Sequence, residues 1–150
     1  MAATGNIGKT REHAVTIIGA VAGVDRVILG SEHQDPSDEF LAGLLEHPTV
    51  IVHPARFTRI ASGYQNGGVL KDFEVDVSLL YAYAAHADFD NTAIEDLYEG
   101  ITLALVKPVN WTGDKVSVCH EFDPFRFDSE LRQDPIVSKW LSTCHFTGSR

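Results

Sequence analysis

The stretch VLKDFEVDVSLLYAYA, residues 69–84, decides how this chain is read. Phe73, Val75, Val77, Leu79, Tyr81 and Tyr83 alternate with Asp72, Glu74, Asp76 and Ser78. Side chains on a strand point to opposite faces at every step, so this period of two predicts a long half-buried strand. One face meets a core; the carboxylates share the other and are expected to face water or a partner. Carboxylates at i, i+2 and i+4 spread over roughly 13 Å, too wide for one divalent ion and unlike a focused acid–base pair. A solvated strand face is the plain reading of Asp72, Glu74 and Asp76; an acidic surface with a purpose, such as a channel wall, is the functional one.

Outward from that strand, Ser62–Gly68 reads as a flexible tip. Thr49–His53 is a β-branched run that Pro54 interrupts and Phe57–Ala61 continues, so residues 49–84 form an extended hairpin with an irregular first arm. On the other side, a helix starts at Asn91 or Thr92, where Thr92 and Glu95 have capping-box spacing. Its apolar side is Ile94, Leu97, Tyr98, Ile101 and Leu105, and Pro108 stops it. Val116, Val118, His120 and Phe122 alternate as a strand, Asp123–Pro135 reads as a long loop, and Ile136–Phe146 as a last strand. Towards the N-terminus, residues 1–9 read as a mobile arm. A helix follows from near Thr10, with Ala14, Val15, Ile17, Ile18, Val21 and Ala22 at helical spacing and Gly23 at its stop. A short strand, Arg26–Leu29, and a brief helix with Phe40, Leu41, Leu44 and Leu45 as its buried stripe complete the order. The expected fold is a single α+β domain over residues 1–150: a twisted, mainly antiparallel sheet packed by two principal helices.

Composition bounds the function. A chain of 150 residues, 44% hydrophobic and 22% charged, suits one soluble domain, which can bury roughly 70% of its unfolded surface. No apolar run approaches the ~20 residues that span a bilayer. The opening MAATGNIGKTREH reaches charged residues before any apolar stretch, so no secretory signal is expected. Cys119 and Cys144 are then expected to be reduced and buried. A net charge of −9 argues against wrapping nucleic acid, because that affinity comes from Lys and Arg neutralising phosphates.

Reaction motifs are weak. Gly5-Asn6-Ile7-Gly8-Lys9-Thr10 looks like the end of a phosphate-binding P-loop, but the first motif glycine would fall at Ala3 and no strand precedes it. Cys119-His120 and Cys144-His145 invite a zinc reading, yet neighbours on a strand diverge to opposite faces, leaving at most two ligands per face. Cys144 and His120 could meet across adjacent strands as a nucleophile and base, with no recognisable orienting group or oxyanion hole. Neither Gly-x-Ser-x-Gly nor His-Glu-x-x-His occurs. No catalytic, cofactor or metal residue is therefore assigned, and the protein is not expected to be an enzyme. Phe125 and Phe127, among charges with Arg126, suit either a partner contact or a segment folded back over its own domain.

The order helix, strand, strand pair with a long tip, capped helix and two final strands resembles the tail terminator, or tail-completion, proteins of long-tailed bacteriophages. The resemblance is clearest over Asp72-Phe-Glu-Val-Asp-Val-Ser-Leu-Leu-Tyr, Ala93-Ile-Glu-Asp-Leu-Tyr-Glu-Gly-Ile-Thr-Leu-Ala-Leu and the last strands. It implies a small α+β subunit without catalytic residues, forming a ring of usually six copies that caps the tail tube and joins it to the head connector. Head-closure and other neck proteins are close competitors, and a ligand-binding α+β domain is the alternative of another class. The implied partners are further copies of the chain, the tail tube protein and the connector, with DNA passing through unbound and no membrane. The virion, assembled in the host cytoplasm, is the implied location. On this reading Asp72, Glu74 and Asp76 line the passage or a subunit contact. The arm at 1–9, the tip with Tyr64, Gln65 and Asn66, and the segment with Phe125, Arg126 and Phe127 meet neighbours.

Overall fold

The computed structural model describes residues 2–30, 44, 48–62, 69–83, 91–133 and 136–149. In chain order these form α1 (Asn6–Gly19), β1 (Arg26–Leu29), β2 (Thr49–Ala61), β3 (Leu70–Tyr83), α2 (Asn91–Val106), a 3-10 turn (Pro108–Asn110), β4 (Cys119–Gln133) and β5 (Ile136–Ser149). The strands make one sheet in the order β1-β2-β3-β5-β4. β1 runs parallel to β2, and the other neighbours are antiparallel. The fold is α+β, with both helices packed on one face of a mostly antiparallel sheet. The brief helix expected around residues 37–47 and the tip residues Tyr64, Gln65 and Asn66 lie outside the described residues.

The period of two in β3 has the expected consequence. Phe73, Val75, Val77 and Leu79 are buried against Ala14, Ile17 and Ile18 of α1 and Ile94, Leu97, Ile101 and Leu105 of α2. Phe146 on β5 stands opposite Phe73. Their rings stack at 5.1 Å, and Trp111 meets Phe146 edge-on at 5.1 Å. The Trp111 indole N–H donates to the Leu105 carbonyl at 2.7 Å, giving the end of α2 a partner as Pro108 terminates the helix.

Four expectations need correction. Residues 6–9 belong to α1 and are not a mobile arm. The Asn6 amide donates to the Lys115 carbonyl at 2.5 Å and to Ser117 Oγ at 2.9 Å, a long-range anchor that composition alone does not reveal. Thr10 does not mark the helix start: it is buried one turn inside, donating to the Asn6 carbonyl and accepting the Ser117 N–H. The first nine residues of the expected Asp123–Pro135 loop, and Arg132 and Gln133 beyond them, are the body of β4, paired along β5 through four register shifts. The alternation Val116, Val118, His120, Phe122 fails for the same reason. The shift between Cys119 and Glu121 inserts an extra residue, so Cys119 is buried while Val118 and His120 are exposed.

Pro54 does not end β2. It falls in a register shift between Val52 and Ala55, and Pro124 falls in another between Asp123 and Arg126. A residue without an N–H is tolerated in a sheet where the ladder is already broken. Arg11 of α1 braces the chain here: its guanidinium donates to His53 O at 2.9 Å, Val52 O at 3.1 Å and Gly30 O at 3.0 Å. Burial lowers the Arg11 pKa from its usual value. Among the described residues no helix is long and apolar enough to cross a membrane.

Candidate assembly surface

The face of the sheet away from the helices carries the acidic row. Cross-strand partners share a face, and the register places Arg56, Glu74, His145 and Glu121 in one line across β2, β3, β5 and β4. Neighbouring lines hold Asp76, Thr143 and Asp123, and Arg59, Asp72 and Thr147. The row is therefore not a bare negative strip. Arg56 forks between Glu74 at 2.5 Å and Asp76 at 2.7 Å. Thr143 donates to Asp76 at 2.7 Å and Thr147 to Asp72 at 2.8 Å. His145 sits between Glu74 at 3.2 Å and Asp123 at 3.1 Å, so one imidazole bridges three strands.

The titration of these groups follows from their surroundings. Burial disfavours the ionised form of Asp76, but hydrogen bonds from Arg56 and Thr143 and the Arg56 charge outweigh it, holding the carboxyl below its usual range. Burial likewise opposes a charged His145. The hydrogen bond and charge of Asp123, with Glu74 and Glu121 nearby, overcome it and raise the pKa. Farther along, His53 Nε2 lies 2.7 Å from Ser78 Oγ, and burial followed by the Lys139 charge lowers the His53 pKa. Ser78 and Leu80 are buried on this same face, so the acidic character of β3 ends at Asp76.

The cysteines occupy the opposite, core-facing side. Cys119 and Cys144 are free, buried thiols that hydrogen-bond to each other, which lowers the first pKa and, with burial, raises the second. His120 is exposed, its ring 6.4 Å from that of His145, so the expected meeting of His120 with Cys144 does not occur. Among the described residues no group of three His, Cys, Asp or Glu side chains could hold a metal ion. The P-loop-like segment places Lys9 and Thr10 within α1, where Thr10 already serves two backbone partners.

Phe125, expected at a partner contact, stacks on Tyr98 at 5.4 Å and belongs to the packing around the core. Phe127 lies edge-on to Trp140 at 5.3 Å yet is 48% exposed, and Arg126 is exposed on the strand, not on a loop. Sequence reasoning missed two apolar groups. Phe57 and Ile60 stand opposite Phe73 and Lys71 on the core-facing side of the hairpin, where the helices no longer cover them. Leu103, Val106 and Val109 are exposed at the end of α2 and the turn after it, Val109 at 75%. Only a cross-strand register could have exposed the first group; a count of apolar residues off the buried stripe of α2 could have found the second. Comparison of the sequence with protein-family models and with curated proteins gave no match.

Proposed function

We propose that this chain is a structural subunit of a bacteriophage neck, forming a homo-oligomeric ring of six copies that ends the tail tube and joins it to the head connector. The observation that carries the reading is the pair of exposed apolar groups, Phe57 with Ile60 and Leu103 with Val106 and Val109. A ring built by rotation needs two different, mutually complementary patches on each copy, because each contact is heterologous. Apolar side chains at both places supply the desolvation that such contacts use. The order of elements along the chain, with its long hairpin, supports the tail-terminator form of the proposal over other neck proteins.

The acidic face has a role in the same proposal. Asp72, Glu74, Asp76, Glu121 and Asp123 outnumber the cations Arg56, Arg59 and His145 set among them. A passage lined by such a face repels DNA phosphates within a Debye length of about 8 Å at physiological salt, while the local pairings keep the strands together. DNA then passes without adhering.

The test is a mass measurement by sedimentation velocity and electron imaging, with and without purified tail tubes. Wild-type chain is expected to form rings alone or on the tubes, and Ile60→Glu and Val109→Glu are each expected to abolish them while leaving the monomer folded. A wild-type chain that stays monomeric beside tail tubes refutes the proposal.

A further inference from the structure

Where α1 begins, the chain leaves a cavity of about 530 Å³ between the helix start and the end of the sheet. Its lining includes Gly5, Asn6, Lys71, Lys115, Ser117 and Gly148. Lys71 and Gly148 face each other across β3 and β5. A Cβ on Gly148 would come within 2.7 Å of Asn6 Oδ1 and 3.2 Å of Ser117 Oγ, so only glycine leaves both polar groups in place there. The Asn6 amide fixes the wall by bonding the Lys115 carbonyl and Ser117 Oγ.

The charge of this cavity runs against that of the protein. Among the described residues its ionisable lining groups are Lys71 and Lys115, with no carboxylate, although the chain carries a net charge of −9. Alternation along β3 sends Asp72, the neighbour of Lys71 in sequence, to the other face, where it accepts from Thr147, and Asp114, the neighbour of Lys115, is exposed and outside the lining. Lys115 Nζ donates to the Thr4 carbonyl at 3.1 Å, which holds it at the rim. Lys71 has no ion pair among the described residues. The helix start adds to this: α1 has no side-chain cap and no acid in its first turn, and the Glu12 carboxylate is engaged by the Ala3 N–H at 2.7 Å, outside the lining.

We propose that this cavity binds a phosphate-sized oxyanion, either inorganic phosphate or the phosphate of a phosphomonoester, between the ammonium groups of Lys71 and Lys115. Backbone N–H groups of the first turn of α1 complete the donor set, while the Ser117 hydroxyl, which donates to Asn6 Oδ1 at 3.3 Å, holds the wall. The volume exceeds that of phosphate alone and leaves room for the organic part of a monoester. This site does not depend on ring assembly and is tested on the isolated chain.

Titration calorimetry at constant ionic strength, with inorganic phosphate and with adenosine monophosphate as probes, measures it. One saturable site per chain is expected. Lys71→Met and Lys115→Met should each weaken it about tenfold, the scale of one charge-assisted hydrogen bond. Lys107→Met, an exposed lysine outside the cavity, should leave affinity unchanged. Tighter binding of the nucleotide assigns the site to monoesters, and equal binding to phosphate itself. Dissociation constants weaker than about 10 mM for both probes overturn the proposal, as does a loss from Lys107→Met equal to that from the cavity lysines. If Lys71→Met fails to fold, the exposed Lys115 decides the matter alone.

Discussion

Arg56→Gln removes the cation shared by Glu74 and Asp76, and its effect can be worked from the structure. The arginine side chain is 51% exposed, whereas the carboxylates retain 20% and 24% of their accessible area. Two fully exposed ion pairs would contribute about 0.2–1 kcal/mol each. Partial burial of both acids, and their repulsion once the guanidinium is gone, bring the expected loss to roughly 1–2 kcal/mol. For a chain of this size that lowers the melting temperature by roughly 2–8 °C. The loss should depend on pH with a definite sign. Asp76 has a depressed pKa in the folded state, so its contribution is present above the unfolded value of 3.8 and disappears as pH falls through the folded one. Urea unfolding of wild type and variant at pH 7 and at successive values below 4 measures this difference. A gap that stays constant down to full protonation of the carboxylates, or one absent at pH 7, would refute the reasoning.

Three further outcomes are expected. His145→Gln should destabilise by up to about 1 kcal/mol at pH 5.5 and by less at pH 8.5, because the raised pKa of His145 gives a contribution complete below 6.5 and lost as pH rises through the folded value; equal urea midpoint shifts at both pH values would contradict it. Phe146→Ala, which empties the space between Phe73 and Trp111, should destabilise by about 3–5 kcal/mol in the same assay. Gly100→Ala should fail to give the roughly 1 kcal/mol that alanine gains over glycine inside a helix, since its Cβ would lie 2.8 Å from Val21 Cγ1; thermal melts should show that gain restored when Val21→Ala is added.

The parts of this fold legible in the sequence are those governed by a single unbroken period. β3 and the buried stripe of α2 are such segments, and both are as their spacing predicts. β4 was hidden because each of its register shifts moves the inward face by one residue, so no period of two survives between Cys119 and Gln133. The start of α1 was hidden because Gly5 and Gly8 resemble a loose segment, while the group that fixes it, Ser117, lies 111 residues away. At the candidate surface, the acids were visible but their partners were not. Arg56 stands opposite Glu74 only because of the register shift between Phe57 and Arg59, which the position of the turn does not reveal. His145 and Thr143 arrive from β5, separated from β3 by a helix and another strand, beyond the reach of local pattern.

The corrugation of β4 has a consequence for how copies of this chain can associate. Among the described strands β4 is outermost and fifteen residues long, and such a margin would otherwise be a template for adding another chain. Its four interruptions break the even spacing of outward amides and carbonyls, so a second backbone laid alongside would find partners in short runs only. Association is thereby directed to side chains and away from a shared sheet. Shortening β4 by one residue at each irregularity would flatten that margin, and the product should form fibrils more readily than the native chain, as thioflavin fluorescence would measure.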